Sequence, residues 1–281
     1  MSAALPELPE VECLARSVRA LCDGATMTSA RFLRADLREP IPKNAFKRAM
    51  LGEVVKRVYR RSKYLILETN AGSCIIHLGM TGNLLSRPAA KAELLHTHVV
   101  LSFTGVNGNE FHLHYVDPRR FGRIAATVGF GAETSDLLKS LGPEPLDHLD
   151  LGGYLAVESR GRRVPVKNFL MNQEVVVGVG NIYASESLFR AGVLPERHAG
   201  SIHADEWIRI GKEVIATLQE AIKAGGTTFR DYKSLKGSAG YFARELSVYG
   251  RAGEPCRKCG GAIRVTRQAG RSTFFCSNCQ K

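Results

Sequence analysis

No stretch of about 18 consecutive apolar residues occurs in the chain, so no membrane-spanning helix is expected. The opening, Met1-Ser2-Ala3-Ala4-Leu5, lacks the basic and apolar regions of a secretory leader. The protein is therefore read as intracellular. No internal repeat, low-complexity tract or leftover run of helical heptads stands out, which argues for a monomer. Acidic residues are in deficit: 27 Asp and Glu stand against 39 Lys and Arg, a formal net charge of +12. A basic balance of that size points to a polyanionic partner, nucleic acid first; an unspecialised basic enzyme fits the charge alone equally well. With 281 residues, 44% of them hydrophobic, the chain suits two modest domains and a small appendage.

The apolar spacing Val11, Leu14, Val18, Leu21 predicts a helix over 9–23, with Pro9 in its first turn and Gly24 at its stop. From about Val54 to Tyr115 the pattern becomes strand-like. Val99–Phe103 and Phe111–Tyr115 flank the turn-rich Gly105-Val106-Asn107-Gly108-Asn109 and predict a hairpin. Short strands in succession suggest antiparallel sheets packed as a sandwich or barrel. Gly142-Pro143-Glu144-Pro145 cannot sit in a helix interior and is placed near a domain linker. A second clear helix is predicted over 206–224, with Asp205 as its N-cap and Gly225-Gly226 as its end.

Of the seven cysteines, Cys13, Cys22 and Cys74 are scattered among apolar neighbours and read as reduced core thiols. The other four form Cys256-x-x-Cys259 and, after sixteen intervening residues, Cys276-x-x-Cys279. Two such knuckles suit one tetrahedral zinc, and four protein ligands leave no open position, so the metal is structural. Two disulfides are the alternative, which an intracellular setting disfavours. The intervening Ile263–Phe275 segment suits a hairpin, and Arg257, Lys258, Arg264, Arg267 and Arg271 face only Glu254 in charge. Any one of these could be a solvated surface cation; their concentration on so small a module favours phosphate contact.

These residues carry a resemblance. Pro6-Glu7-Leu8-Pro9-Glu10-Val11-Glu12, Arg60–Tyr64, His77-Leu78-Gly79-Met80, Asp117–Gly122, Val177–Glu186, Gly225–Thr228 and the terminal zinc ribbon are similar, in order, to the motifs of the formamidopyrimidine-DNA glycosylase family. The resemblance implies an α+β multidomain chain: an N-terminal β-sandwich flanked by helices over 6–135, and a linker over 136–150. A helical helix-two-turns-helix domain over 151–250 and a zinc-ribbon hairpin over 251–281 complete it, with DNA in the cleft between domains. It implies a bifunctional glycosylase and abasic-site lyase that excises oxidised purines from double-stranded DNA in the bacterial cytoplasm, at the nucleoid. The related endonuclease VIII class prefers oxidised pyrimidines; the Pro6–Glu12 string and the long segment after Thr227 resemble the purine class instead.

For individual residues the resemblance implies an imine at an N-terminal Pro6, with Glu7 as acid/base. Lys63 and Arg271 serve as catalytic-site cations, and Asn181 with Arg271 grips a kinked backbone. Met80, Arg119 and Phe121 fill the hole left by a flipped base, His96 and Lys167 contact DNA near the lesion, and Arg230 stands where some relatives have a lysine. Read without it, Pro6 is a helix-start proline, Glu7 a first-turn carboxylate, Lys63 a strand-edge lysine, and Met80 and Phe121 core residues. The glycine-rich Gly178-Val179-Gly180 turn entering a helix presents amides to an anion, or is simply a tight turn. One departure matters. Residues 1–5 precede Pro6, and an internal proline nitrogen is an amide that forms no imine. Leu5 stands where an initiator methionine would, so the working chain is expected to begin at Pro6. A genuine extension would leave a lesion-binding protein without catalysis.

Overall fold

The computed structural model describes residues 6–34, 36–87, 94–227 and 245–281. Helix α1 (Leu8–Cys22) is followed by β1 (Thr26–Phe32), α2 (Lys43–Met50), and the strands β2 (Arg57–Arg61), β3 (Tyr64–Glu68), β4 (Gly72–His77), β5 (Asn83–Arg87), β6 (Thr97–Thr104), β7 (Glu110–Val116) and β8 (Arg123–Val128). Helices α3 (Leu151–Glu158), α4 (Val166–Leu170), α5 (Asn181–Ala191) and α6 (Ala204–Lys223) come next, then β9 (Arg264–Gln268) and β10 (Arg271–Phe275).

Two four-stranded antiparallel sheets, in the orders β1-β6-β7-β5 and β2-β3-β4-β8, share one core. The alternation of the strands makes it so. Val99, Leu101 and Phe103 of β6 and Leu113 and Tyr115 of β7 point inward, to meet Leu65, Leu67, Cys74 and Ile76 of the other sheet. The intervening Ile66 and Ile75 face outward and pack on Ala132 and Leu138. Helix α1 lays Val11, Leu14, Ala15 and Val18 against this sandwich. Its first residue, Leu8, belongs instead to the helical core around Tyr183, Leu188, Trp207, Val214 and Leu218. The N-terminal turn of α1 is thus the joint between the two halves.

Helix α6 begins two residues earlier than the spacing predicted, and its N-cap is His203, not Asp205. The Glu206 carboxylate reaches back to accept from the His203 N–H at 2.9 Å, while Asp205 lies in the first turn, paired with Arg209. At the far end Gly225 and Gly226, at φ +81 and +87, reverse the chain as expected of a left-handed helix stop. The proline-bracketed Glu144 accepts from the Arg61 guanidinium at 2.9 Å and the Ser62 N–H at 2.7 Å, which clasps this connection to the β2–β3 turn. The terminal hairpin packs on α5 through Phe189, Val248, Ile263 and Cys276. Among the described residues, no helix is long and apolar enough to cross a membrane.

Candidate active site and nucleic-acid interface

Pro6 and Glu7 immediately precede α1, and both are buried. Glu7 is the N-cap residue, in extended backbone, and its N–H donates to the Glu10 carboxylate at 2.8 Å. Its own carboxylate crosses to the helical half and accepts from the N–H groups of Gly180 at 2.8 Å and Ile182 at 3.0 Å. The amides that the glycine turn presents at the start of α5 are therefore filled by an internal anion. A Cβ on Gly180 would lie 2.3 Å from the Glu7 carboxyl carbon, so a larger residue there would displace that carboxylate. Burial pushes the Glu7 carboxyl up to about 7; Lys63 pulls it down, Glu10 pushes it further up, and the α5 amides favour the charged form.

Lys63 does not sit on a strand edge. Arg61 pairs with Tyr64, which puts Ser62 and Lys63 in the two-residue turn between β2 and β3. Ser62 has φ +54, an unfavourable backbone for serine, and is held there by Glu144 on its N–H and by Gln173 on its hydroxyl at 3.0 Å. This turn aims Lys63 toward Glu7. Burial lowers the Lys63 ammonium below the usual lysine range, Glu7 opposes that, and Arg271 adds to it. Beside it opens a cavity of about 290 Å³ lined by Lys63, Tyr64, His77 and Arg123 among others. Burial, then the Lys63 charge, pushes His77 down to about 4, so its ring is neutral at neutral pH.

Arg271 opens β10, opposite Gln268, at the tip of the terminal hairpin. Ala269 and Gly270 between them have φ +46 and +76, as a two-residue hairpin turn requires. The tip is braced by Lys167 and Asn181. The buried Lys167 ammonium donates to Asn181 Oδ1 at 2.6 Å, Thr273 Oγ1 at 2.7 Å and the Ser272 carbonyl at 3.3 Å. Asn181 in turn donates to the Ser272 carbonyl at 3.0 Å. Burial lowers Lys167 to about 8, with Glu7 opposing and Arg271 reinforcing the shift. Lys63, Glu7, Lys167 and Arg271 thus sense one another across both halves and the hairpin.

Met80 and the Arg119–Phe121 segment lie in two turns that touch: a Cβ on Gly79 would fall 2.4 Å from the Phe121 carbonyl carbon. Asp117 fastens them, accepting from the Thr81 hydroxyl at 2.6 Å and the Gly122 N–H at 2.9 Å. Arg119 is exposed, its guanidinium 4.7 Å from the centre of the Phe121 ring, which is itself 42% exposed. Phe121 is therefore not a core residue, and Met80 is half-buried. His96, exposed and at φ +66, adjoins the same turn through its carbonyl, which accepts from the Asp117 N–H at 3.1 Å. Arg230 and the segment from Thr228 to Tyr241 lie outside the described residues.

The four sulfurs of Cys256, Cys259, Cys276 and Cys279 lie within 4.8 Å of one another and form no disulfide. Zinc–sulfur bonds of about 2.3 Å place tetrahedral sulfurs about 3.8 Å apart. The pairs Cys256–Cys279 and Cys259–Cys276, at 3.9 and 3.5 Å, fit that figure. The donor set suits one structural zinc.

Three family models match along the chain: the formamidopyrimidine-DNA glycosylase N-terminal domain over residues 5–124, the formamidopyrimidine-DNA glycosylase H2TH domain over 141–233, and a zinc finger found in FPG and IleRS over 253–281. The formamidopyrimidine-DNA glycosylase of Vibrio vulnificus (strain CMCP6) is 46% identical over 277 residues, covering 98% of this chain and all of that one. This chain belongs to the formamidopyrimidine-DNA glycosylase family. The family member from Yersinia enterocolitica is likewise 46% identical, over 276 residues, 98% of this chain and 100% of its own. Among solved structures, MutM (FPG) from Thermus thermophilus superposes with a TM-score of 0.84 at 35% identity, covering 98% of both chains. Wild-type Lactococcus lactis Fpg, in complex with DNA containing an N7-benzyl-Fapy-dG, gives 0.87 at 31%, covering 98% of this chain and 100% of that one.

In this family member the sequence motifs enclose residues to which no role was assigned from sequence. Glu10, Tyr183 and Glu186 all lie inside the quoted strings. Each is buried, and each carboxylate is a hub: Glu10 for Glu7, Tyr183 and Thr227, and Glu186 for the N–H groups of Ser247, Val248 and Tyr249 at 2.8 to 2.9 Å. A charged residue on a helix face that is otherwise apolar is the signal that would have found the two glutamates; Tyr183 carries no such signal.

Proposed function

We propose that this chain removes oxidised purines, 8-oxoguanine and ring-opened formamidopyrimidines, from double-stranded DNA and then cuts the strand at the resulting abasic site. Glu7 carries the reading. It is a buried carboxyl held at about 7, locked onto the amides of α5, facing Lys63 and directly following Pro6. A group that titrates near neutrality is present in both forms at working pH, so it serves as acid in one step and base in the next.

The damaged nucleotide must leave the stack before its sugar is reachable. The Pro6 amine then bonds to C1′ as the bond from C1′ to the base breaks, the base leaving with a proton. Glu7 as acid then protonates O4′ as the bond from C1′ to O4′ breaks, which opens the sugar to an iminium; the α-proton at C2′ becomes acidic, and eliminations release the strand on either side. Lys63 and Arg271 hold the phosphates flanking the lesion, and Asn181 and Lys167 fix the hairpin tip that carries Arg271. Phe121 and Met80 occupy the gap in the stack, Arg119 meets the orphaned base, and His96 contacts the backbone beside them. Arg230 is assigned a phosphate contact on the lesion side. The enzyme acts as a monomer in the bacterial cytoplasm, at the nucleoid.

This chemistry requires a free Pro6 amine. Borohydride trapping on 8-oxoguanine DNA tests it. Protein whose first residue is Pro6 should form a covalent adduct and cleave; protein verified to retain residues 1–5 should bind without either. Equal trapping by the extended protein would refute the assignment, and faster excision of oxidised pyrimidines would move the enzyme to the endonuclease VIII class.

A further inference from the structure

Three remote segments converge on one carboxylate. Glu10 Oε2 accepts the N–H of Glu7 at 2.8 Å, and that N–H belongs to the peptide bond joining Pro6 to Glu7. Glu10 Oε1 accepts the Tyr183 hydroxyl at 2.7 Å and the Thr227 N–H at 2.7 Å. The Thr227 hydroxyl lies 2.9 Å from the Tyr183 oxygen. Since the Tyr183 O–H donates to Glu10, the threonine is the donor there. All three side chains are buried, at 0 to 3% exposure. Gly226 shapes the approach: a Cβ there would sit 3.2 Å from Glu10 Oε1.

We propose that Tyr183 is a positioning residue for the reaction: its phenol fixes the Glu10 carboxylate, and Glu10 fixes the peptide between Pro6 and Glu7. The inference rests on the function proposed above. The Tyr183 backbone N–H lies 3.5 Å from the Glu7 carboxylate, a contact that Tyr183→Phe keeps; the phenol acts through Glu10. A buried carboxylate is costly unless donors surround it, and a carboxylate free to rotate no longer orients the one peptide bond whose two residues are the nucleophile and the acid. Burial raises the Glu10 carboxyl above its ordinary range while the Tyr183 and Thr227 contacts lower it, so removing the phenol favours a protonated, differently oriented Glu10. Small misplacements of a reacting group are enough to slow chemistry strongly without altering binding.

The test uses zinc-loaded enzyme with a free Pro6 amine. Tyr183→Phe should lower single-turnover excision of 8-oxoguanine by on the order of tenfold. Its affinity for lesion duplex and the salt dependence of that affinity should stay at wild-type values. Glu10→Gln replaces one of the two acceptor oxygens by an NH2 donor, so the Glu7 N–H and the Tyr183 and Thr227 donors can no longer all be satisfied, which tests the same contact from the other side. The double variant should be no slower than Glu10→Gln alone, because Tyr183 works through that carboxylate. Thr227→Ala, which keeps the N–H that Glu10 uses, should cost much less than Tyr183→Phe. Wild-type excision by Tyr183→Phe, losses that multiply in the double variant, or a fall in affinity matching the fall in rate would each overturn the proposal. Failure of the wild-type enzyme to trap on damaged DNA would instead overturn the function on which it rests.

Discussion

Replacing Glu7 by glutamine keeps the shape of the side chain and removes its titration. In the folded protein this carboxyl is held at about 7 against an ordinary 4.5, burial being the main cause. Below pH 4.5 it is protonated whether the chain is folded or not, and folding is indifferent to it. Between 4.5 and 7 the unfolded chain releases the proton while the folded chain keeps it, so stability falls as pH rises. Above the folded value the loss is complete, about 3 kcal/mol at about 1.4 kcal/mol per tenfold. Glu7→Gln should show no such loss. Urea unfolding of both proteins at intervals from about pH 5 to 8 measures the difference, and groups common to both, such as His77, largely cancel. The wild type should lose about 2.5 kcal/mol relative to the variant across that range, the rest being lost already below pH 5. A difference that stays flat would refute the claim that burial and the α5 amides hold a titrating carboxyl there. The same variant should slow base excision by about two to four orders of magnitude, because a positioned acid/base is gone.

Lys63→Ala and Arg271→Ala should each flatten the plot of log affinity for duplex against log salt by roughly 0.9, one neutralised phosphate apiece, whereas Glu7→Gln should leave that slope unchanged. An unaltered slope in both alanine variants would remove them from the phosphate contacts. Cys256→Ser should release zinc, loosen the terminal hairpin and weaken DNA binding while the N-terminal sandwich stays folded; purified protein with no zinc and two disulfides would sink the site. Phe121→Ala should change thermal stability by no more than about 0.5 kcal/mol, since the ring is substantially exposed, yet slow excision from duplex DNA. A loss of about 3 to 5 kcal/mol would mark it as core.

Much of the site was legible because its signals are local. The two Cys-x-x-Cys knuckles define a tetrahedron by spacing alone, and the backbone brings their sulfurs within 4.8 Å. The period of α1 and the alternation of β6 and β7 announce which faces are buried, and all three elements form within a residue or two of the expected bounds; of the α1 face only Leu21, in its last turn, is exposed. The α6 cap failed for a local reason too: Asp205 is the residue type that a cap prefers, but the Glu206 carboxylate reaches back to the His203 N–H and the helix starts two residues earlier.

What only the tertiary structure decided involves groups far apart in the chain. An amide-rich turn before α5 announces an anion site, but nothing in its spacing says that the anion is Glu7, 173 positions away. Lys63 reads as one more cation in a basic run until the positive φ of Ser62 turns it off the strand and toward that carboxyl. Lys167 carries the same charge as its exposed neighbours, yet packing buries it and engages its ammonium with Asn181, Ser272 and Thr273. Sequence patterns report periodicity, caps and ligand spacing because these are short-range. The partners of a buried charge are chosen by which distant donors the fold brings within about 3 Å, and the desolvation that sets its pKa exists only once the chain has packed.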